Sequence, residues 1–255
     1  MHYGKTRVVV CGDAVDLGRT AAAAVGQAMR EALAERGRVH VIFAAGESQI
    51  TFFDAMAAQE GIDWARAVCF NLDDLWDPRM PERYTCGYQA RRQLYDRVRP
   101  GRVELVRFNA SDAQAEADRF AGLMREVGSF DLVCLGIGTS GHLALNEPGD
   151  TDFEDQALVR VVDLAAQSKR QLIEDPNFNG LGYIPDKGIT MTIPALMAAG
   201  RKFTIVPLGL KRPILTRVLG TPTPTADLPA TILSRYEGTL FMDRDSCPEA
   251  WLERL

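Results

Sequence analysis

Residues 39–60 read VHVIFAAGESQITFFDAMAAQE. Five mostly apolar residues run into a small-residue turn, Ala44-Ala45-Gly46, and the turn opens a stretch with helical spacing of apolar residues. A run this short, bounded by a glycine turn, reads as a strand. Strand, tight turn, helix is the repeating unit of a parallel sheet with covered faces.

The same order recurs along the chain. Residues 8–11, 39–43, 67–71, 103–107, 132–136, 158–162, 190–193 and 203–207 are predicted strands, and Phe241 marks a last one. Between them, residues 17–36, 48–60, 86–98, 113–127 and 165–174 are predicted helices. Gly37 is placed to cap the first of these, and Ser111 and Asp112 can cap the free amides of the helix from Ala113. With right-handed crossovers this is an α/β fold, a Rossmann-like doubly wound and mostly parallel sheet with helices on both faces. No linker or repeat interrupts residues 1–255, which are expected to form a single domain. The TPTPTADLP stretch at 221–229 reads as a surface loop.

Composition narrows the function classes. The 255 residues are 46% apolar and 25% charged, with a formal net charge of −5. That balance suits a globular protein and offers no general nucleic-acid surface. Five cysteines, Cys11, Cys69, Cys86, Cys134 and Cys247, form no CxxC pair and sit beside no histidine. They read as reduced thiols, with no disulfide framework and no metal site. The opening MHYGKTR and the short apolar run after it read as a first strand, and no stretch approaches a membrane span. The expectation is a cytoplasmic protein without membrane partners.

In such a sheet the site lies beyond the carboxyl ends of the strands. After the second strand, Gly46, Glu47 and Ser48 open a helix, where free backbone N–H groups suit an anion or simply make a tight turn. After the third, Phe70-Asn71-Leu72-Asp73-Asp74-Leu75-Trp76 places two carboxylates side by side. They cap the following segment, or one of them, raised in pKa by its neighbour and by burial, transfers protons. After the fifth comes GIGTSGHLALNEP, residues 136–148, with Gly138, Thr139, Ser140 and Gly141 leading into His142. Glu147 can bond one imidazole nitrogen and leave the other for acid–base work. Lys169 and Arg170 follow the sixth strand, and Lys211 and Arg212 follow Pro207-Leu208-Gly209-Leu210. These basic pairs are either solvated or close over an anionic tail.

GIGTSGHLALNEP resembles the signature of the glucosamine-6-phosphate deaminase/isomerase family, Gly-x-Gly-x-Asp/Asn-Gly-His-Ile-Ala/Gly-Phe-Asn-Glu/Asp-Pro. FNLDDLW is similar to that family's Phe-Asn-Met-Asp-Glu-Tyr. VIFAAGESQ stands where the family has its phosphate loop and looks closer to a branch with Ala-Ala-Pro-Ser-Gln there. LGLKRP stands at the family's phosphate-binding lysine, with Arg212 as the match. The 6-phosphogluconolactonases, which share the fold, read Asp-Gly-His-Thr-Ala and lack the Asn-Glu-Pro ending.

The resemblance implies a cofactor-independent, metal-free enzyme that opens the ring of a 2-amino-2-deoxyhexose 6-phosphate, moves a proton between C2 and C1, and releases ammonia. Asp73 would be the proton-transfer base, His142 would assist ring opening with Glu147 orienting it, and Asp74 would stand beside the base. Gly46, Glu47, Ser48, Gly138, Thr139, Ser140, Gly141, Lys169 and Arg212 would contact the substrate, a small phosphorylated sugar. A homo-oligomer is compatible with the resemblance. Three departures stand out: Ser140 where the family often has Asp, Glu47 in place of the loop's second glycine, and Glu174 opposite its phosphate-binding arginine. Glu47 and Ser140 are expected to mark an altered substrate preference. A related isomerase or lyase on a modified sugar, a lactonase, and a sugar-phosphate-binding sensor are the alternatives.

Overall fold

A computed structural model describes residues 1–174, 178 and 180–254, without the side chains of Gln167, Gln171 and Glu174. Its strands are β1 (His2–Tyr3), β2 (Thr6–Cys11), β3 (Val39–Phe43), β4 (Ala67–Asn71), β5 (Asp73–Trp76), β6 (Arg102–Glu104), β7 (Leu132–Leu135), β8 (Val159–Asp163), β9 (Lys187–Met191), β10 (Arg201–Val206) and β11 (Gly238–Asp243). Its helices are α1 (Ala14–Arg36), α2 (Ile50–Ala57), α3 (Cys86–Ala90), α4 (Asp96–Val98), α5 (Ala113–Val127), α6 (Ala166–Glu174), α7 (Ile193–Met197), α8 (Arg212–Leu219) and α9 (Glu249–Leu252).

Eight strands form one sheet in the order β1-β2-β11-β10-β7-β3-β4-β6, parallel except for β1. Side chains alternate across a strand, so one run of apolar residues feeds two cores. Val41 and Phe43 pack on one face with α1 and α2, while Ile42 packs on the other with α5 and α8. Leu132 and Cys134 against Val133 and Leu135 repeat the division on β7. Helix α1 starts where Asp13 accepts the N–H of Asp16 and stops where Gly37, at φ 68°, returns its N–H to Leu33. A side chain at Gly18 would strike the Thr51 carbonyl at 2.5 Å, so α1 and α2 meet backbone to backbone.

Two strands predicted for this sheet lie elsewhere. β8 and β9 join β5 in a separate antiparallel sheet of order β5-β9-β8. Their short apolar runs look like any buried strand, and nothing local specifies the partner. β5 was not among the predicted strands: it follows β4 after a single residue, Leu72, and carries the two aspartates. The helix predicted over 86–98 is α3 and α4 joined by a π-helical turn at Arg91–Tyr95. The helix predicted from Ser48 begins with a 3₁₀ turn, Glu47–Gln49, ahead of α2.

Chain direction creates the crevice. β3 leads outward through β4 to β6, and β7 leads the opposite way through β10 to β11, although β3 and β7 are neighbours. The loops after them therefore diverge, which is where open α/β sheets bind ligands.

Candidate active site

A cleft of about 530 Å³ opens at this point, walled by the loops after β3, β7 and β10 and by β5 and α6. Gly46, Glu47, Ser48, Asp73, Asp74, Gly138, Thr139 and His142 all border it. Gly46 adopts φ 105°, a conformation that favours glycine, and starts the turn at Glu47. Gln49 is fully buried and anchors that turn, donating to Ser48 Oγ at 3.0 Å and to the Ile205 carbonyl at 3.3 Å.

The two aspartates have different surroundings. Asp74 Oδ1 accepts the N–H of Leu75 at 2.8 Å and of Cys86 at 2.9 Å, and Oδ2 accepts that of Gly87 at 2.8 Å. Among the described residues no hydrogen bond reaches the Asp73 carboxyl. Burial raises both carboxyls, and the adjacent Asp74 charge raises Asp73 further, to about 8. On Asp74 the three N–H groups oppose that rise, since they favour the ionised form. Asp74, at about 7, is therefore the more readily ionised of the pair and caps the start of α3, and Asp73, at about 8, holds its proton longer.

His142 is positioned from behind. Its Nδ1 lies 2.6 Å from Glu147 Oε1, and Ser140 Oγ donates to Oε2 at 2.7 Å. Ser168, on α6, donates its hydroxyl to Oε1 as well. Burial alone would raise the Glu147 carboxyl, but the His142 bond and charge and the two serine hydroxyls outweigh it and hold it at about 2. A charged Glu147 accepts a hydrogen bond from the Nδ1–H of the imidazole, which leaves Nε2 as the atom for acid–base work. The ring lies across Gly138, where a Cβ would sit 1.9 Å from Nε2. Asn146 fixes the loop by donating to the Leu143 carbonyl at 2.8 Å and the Met191 carbonyl of β9 at 2.9 Å.

Several nominated contacts fall outside the cleft wall. Ser140, Gly141 and Glu147 are buried and do not border the cleft; the first and third support His142, and Gly141 makes the turn at φ 92°. Lys169 pairs with Asp186. Arg212 bonds the carbonyls of Asp245 at 2.9 Å and Arg244 at 3.0 Å. In both cases the chain neighbour borders the cleft instead: Arg170 on α6, and Lys211, which is buried and donates to the Ile137 carbonyl at 2.9 Å. Adjacent residues of a helical turn point about 100° apart, so one of each pair turns away. Glu47 is exposed at the cleft wall. Solvent around it screens its repulsion of an anion in the cleft. The Glu174 side chain lies outside the described residues.

Ser168 and Gln89 gave no signal in the sequence, being ordinary polar residues inside helical patterns, Ser168 within the polar run Gln167-Ser168-Lys169-Arg170. Leu164, Leu172, Phe178, Leu208 and Leu210 add an apolar wall. Leu208 sits at φ 81°, unusual for a branched side chain, where the chain leaves β10 for the turn that presents Lys211. Among the described residues, no group of three or more His, Cys, Asp or Glu could hold a metal ion, and no helix is long and apolar enough to cross a membrane.

The family model for glucosamine-6-phosphate isomerases/6-phosphogluconolactonase matches residues 12–242. A glucosamine-6-phosphate deaminase from an Exiguobacterium species is 31% identical over 191 residues, 74% of this chain and 72% of the relative. A monomeric glucosamine-6-phosphate deaminase superposes with a TM-score of 0.82 at 22% identity, covering 94% of this chain and 98% of that one. The 6-phosphogluconolactonase of Thermotoga maritima superposes at 0.73 with 20% identity, covering 94% and 99%. At those identities the two structures establish a shared fold.

Proposed function

Because the chain belongs to the family of glucosamine-6-phosphate isomerases and 6-phosphogluconolactonases, we propose that it is a deaminating aldose–ketose isomerase of a 2-amino-2-deoxyhexose 6-phosphate. One observation carries the reading. A carboxyl poised near neutrality, Asp73, borders the same cleft as a histidine fixed by a charged glutamate.

His142 Nε2 moves the proton that opens the ring. Asp73 then takes the C2 proton and returns it to C1. The ammonium of the substrate assists by favouring the charged form of Asp73 as it enters, which turns a proton holder into a base. Protonation at C1 leaves an imine at C2, and water displaces ammonia to give the ketose phosphate. Lys211 and Arg170 hold the phosphate, with the N–H groups of the Glu47 turn as neutral donors.

The test is a panel of 2-amino and 2-hydroxy hexose 6-phosphates and 6-phosphogluconolactone, scored for ammonia, ketose and acid release. Ammonia and ketose in equal amounts from an amino sugar phosphate is the expected result. Lactone hydrolysis without ammonia release would replace the reading with a hydrolase.

A further inference from the structure

One polar side chain in the cleft wall has no task in the reaction above. Gln89 lies on α3, the short helix whose first amides cap Asp74, and it borders the cleft with Asp73, Asp74 and Cys86. It is 6% exposed, and its Oε1 is shielded from solvent with no hydrogen-bond partner. A buried amide oxygen left unpaired costs about 1–3 kcal/mol. Leucine or methionine would fill the same space without that cost, so packing does not explain a glutamine here.

The backbone after Gln89 is also irregular. Residues Arg91–Tyr95 form a π-helical turn, whose bonds reach one residue further than those of an α-helix. Such turns are rare, carry a cost in regularity, and gather at functional sites. The added residue changes the phase of the helix. Gln89 faces the cleft before it, while Leu94 and Tyr95 pack into the core within it.

We infer that Gln89 determines specificity by hydrogen-bonding a sugar hydroxyl next to the carbons between which the proton moves. A hydroxyl both donates and accepts, so it satisfies the side chain whichever way the amide is turned. The helix that Asp74 caps carries Gln89 to the reacting end of the cleft, which makes the hydroxyl at C3 the partner. The inference rests on the proposed sugar-phosphate reading of this cleft.

Binding to the full chain tests it without turnover. The probes are an open-chain 2-amino-2-deoxyhexitol 6-phosphate, which cannot react, and its 3-deoxy analogue, titrated calorimetrically into the unaltered protein and into Gln89→Leu. The parent compound should bind Gln89→Leu about 10-fold more weakly, the scale of one lost hydrogen bond. The 3-deoxy analogue should bind both proteins equally. Gln89→Leu should also unfold at no lower urea concentration than the unaltered protein, because it removes an unpaired buried amide. An equal loss on both compounds, or none on the parent, overturns the assignment of Gln89 alone. An unaltered protein that binds neither compound overturns the sugar-phosphate reading, and this inference with it.

Discussion

Ser168 Oγ donates to Glu147 Oε1, the same oxygen that meets His142 Nδ1. With Ser140 on Oε2, the buried carboxylate has a donor for both oxygens although the family's frequent aspartate at position 140 is absent. Helix α6 is thereby tied to the imidazole as well as to the cleft wall, where it also carries Arg170. Ser168→Ala should lower kcat roughly 10-fold with little change in KM, and cost about 1–2 kcal/mol of stability for a hydrogen bond to a charged group. Ser168→Thr, which keeps the hydroxyl, should restore most of both. Steady-state kinetics and urea unfolding on the three proteins check this; an unchanged kcat in the alanine variant would show the bond to be dispensable.

Asp73 and Glu147 give stability opposite pH dependences. Asp73 keeps its proton when folded up to about 8 and loses it near 3.9 when unfolded, so its contribution weakens as pH rises between those values. Glu147 is held at about 2 against roughly 4.3 unfolded, so its stabilisation is full above that value and lost as pH falls toward 2. Asp73→Asn should therefore be the more stable protein at pH 8, with the difference shrinking toward pH 4, while turnover falls about 10²–10⁴-fold. Glu147→Gln should flatten the acid limb. Urea unfolding across pH 2–9 would refute the division of roles if Asp73→Asn lost stability at pH 8.

Lys211 and Arg212 are adjacent, and only the first borders the cleft. Lys211→Met should raise KM for a phosphorylated sugar by about 10- to 100-fold, in line with one charge-assisted hydrogen bond. Arg212→Met should stay within about twofold, as expected of an exposed group. Equal losses in the two variants would return the anion site to the assignment read from sequence.

Gly138 leaves no room for a side chain beneath His142. Gly138→Ala should displace the imidazole and reduce kcat by about 10²-fold or more, on the scale of losing an acid–base group. The circular dichroism spectrum should be unchanged, because the loop remains on the surface of the sheet. Retained activity would mean that the ring works from another position.

The sequence displayed the alternation of strand and helix, the glycine loop and the polar side chains Asp73, Asp74 and His142 that border the cleft, because each leaves a local mark. Val39–Phe43 and Leu132–Leu135 are apolar runs before glycine turns, and they fall beside each other at the crevice. Partner choice leaves no such mark: β8 and β9 carry the same pattern as central strands yet pair with β5. Which member of a basic pair turns inward depends on the phase of a short helical turn, so the sequence does not show that Arg170 and Lys211, rather than Lys169 and Arg212, border the cleft. Ser168 becomes visible only when α6 is folded over Glu147.

Asp73 and Asp74 occupy consecutive positions under different constraints, and a saturation scan of the two should separate them. Position 74 asks for a short acceptor that can hold the first amides of α3, so asparagine, serine or threonine should survive there with reduced expression, and their activity per molecule should persist with its pH profile moved toward acid, since the charge that helps raise Asp73 is gone. Position 73 asks for an ionisable carboxyl in the cleft, so its substitutes should accumulate normally as folded but silent protein. Activity measured without abundance would score the two sites alike and count one catalytic residue too many.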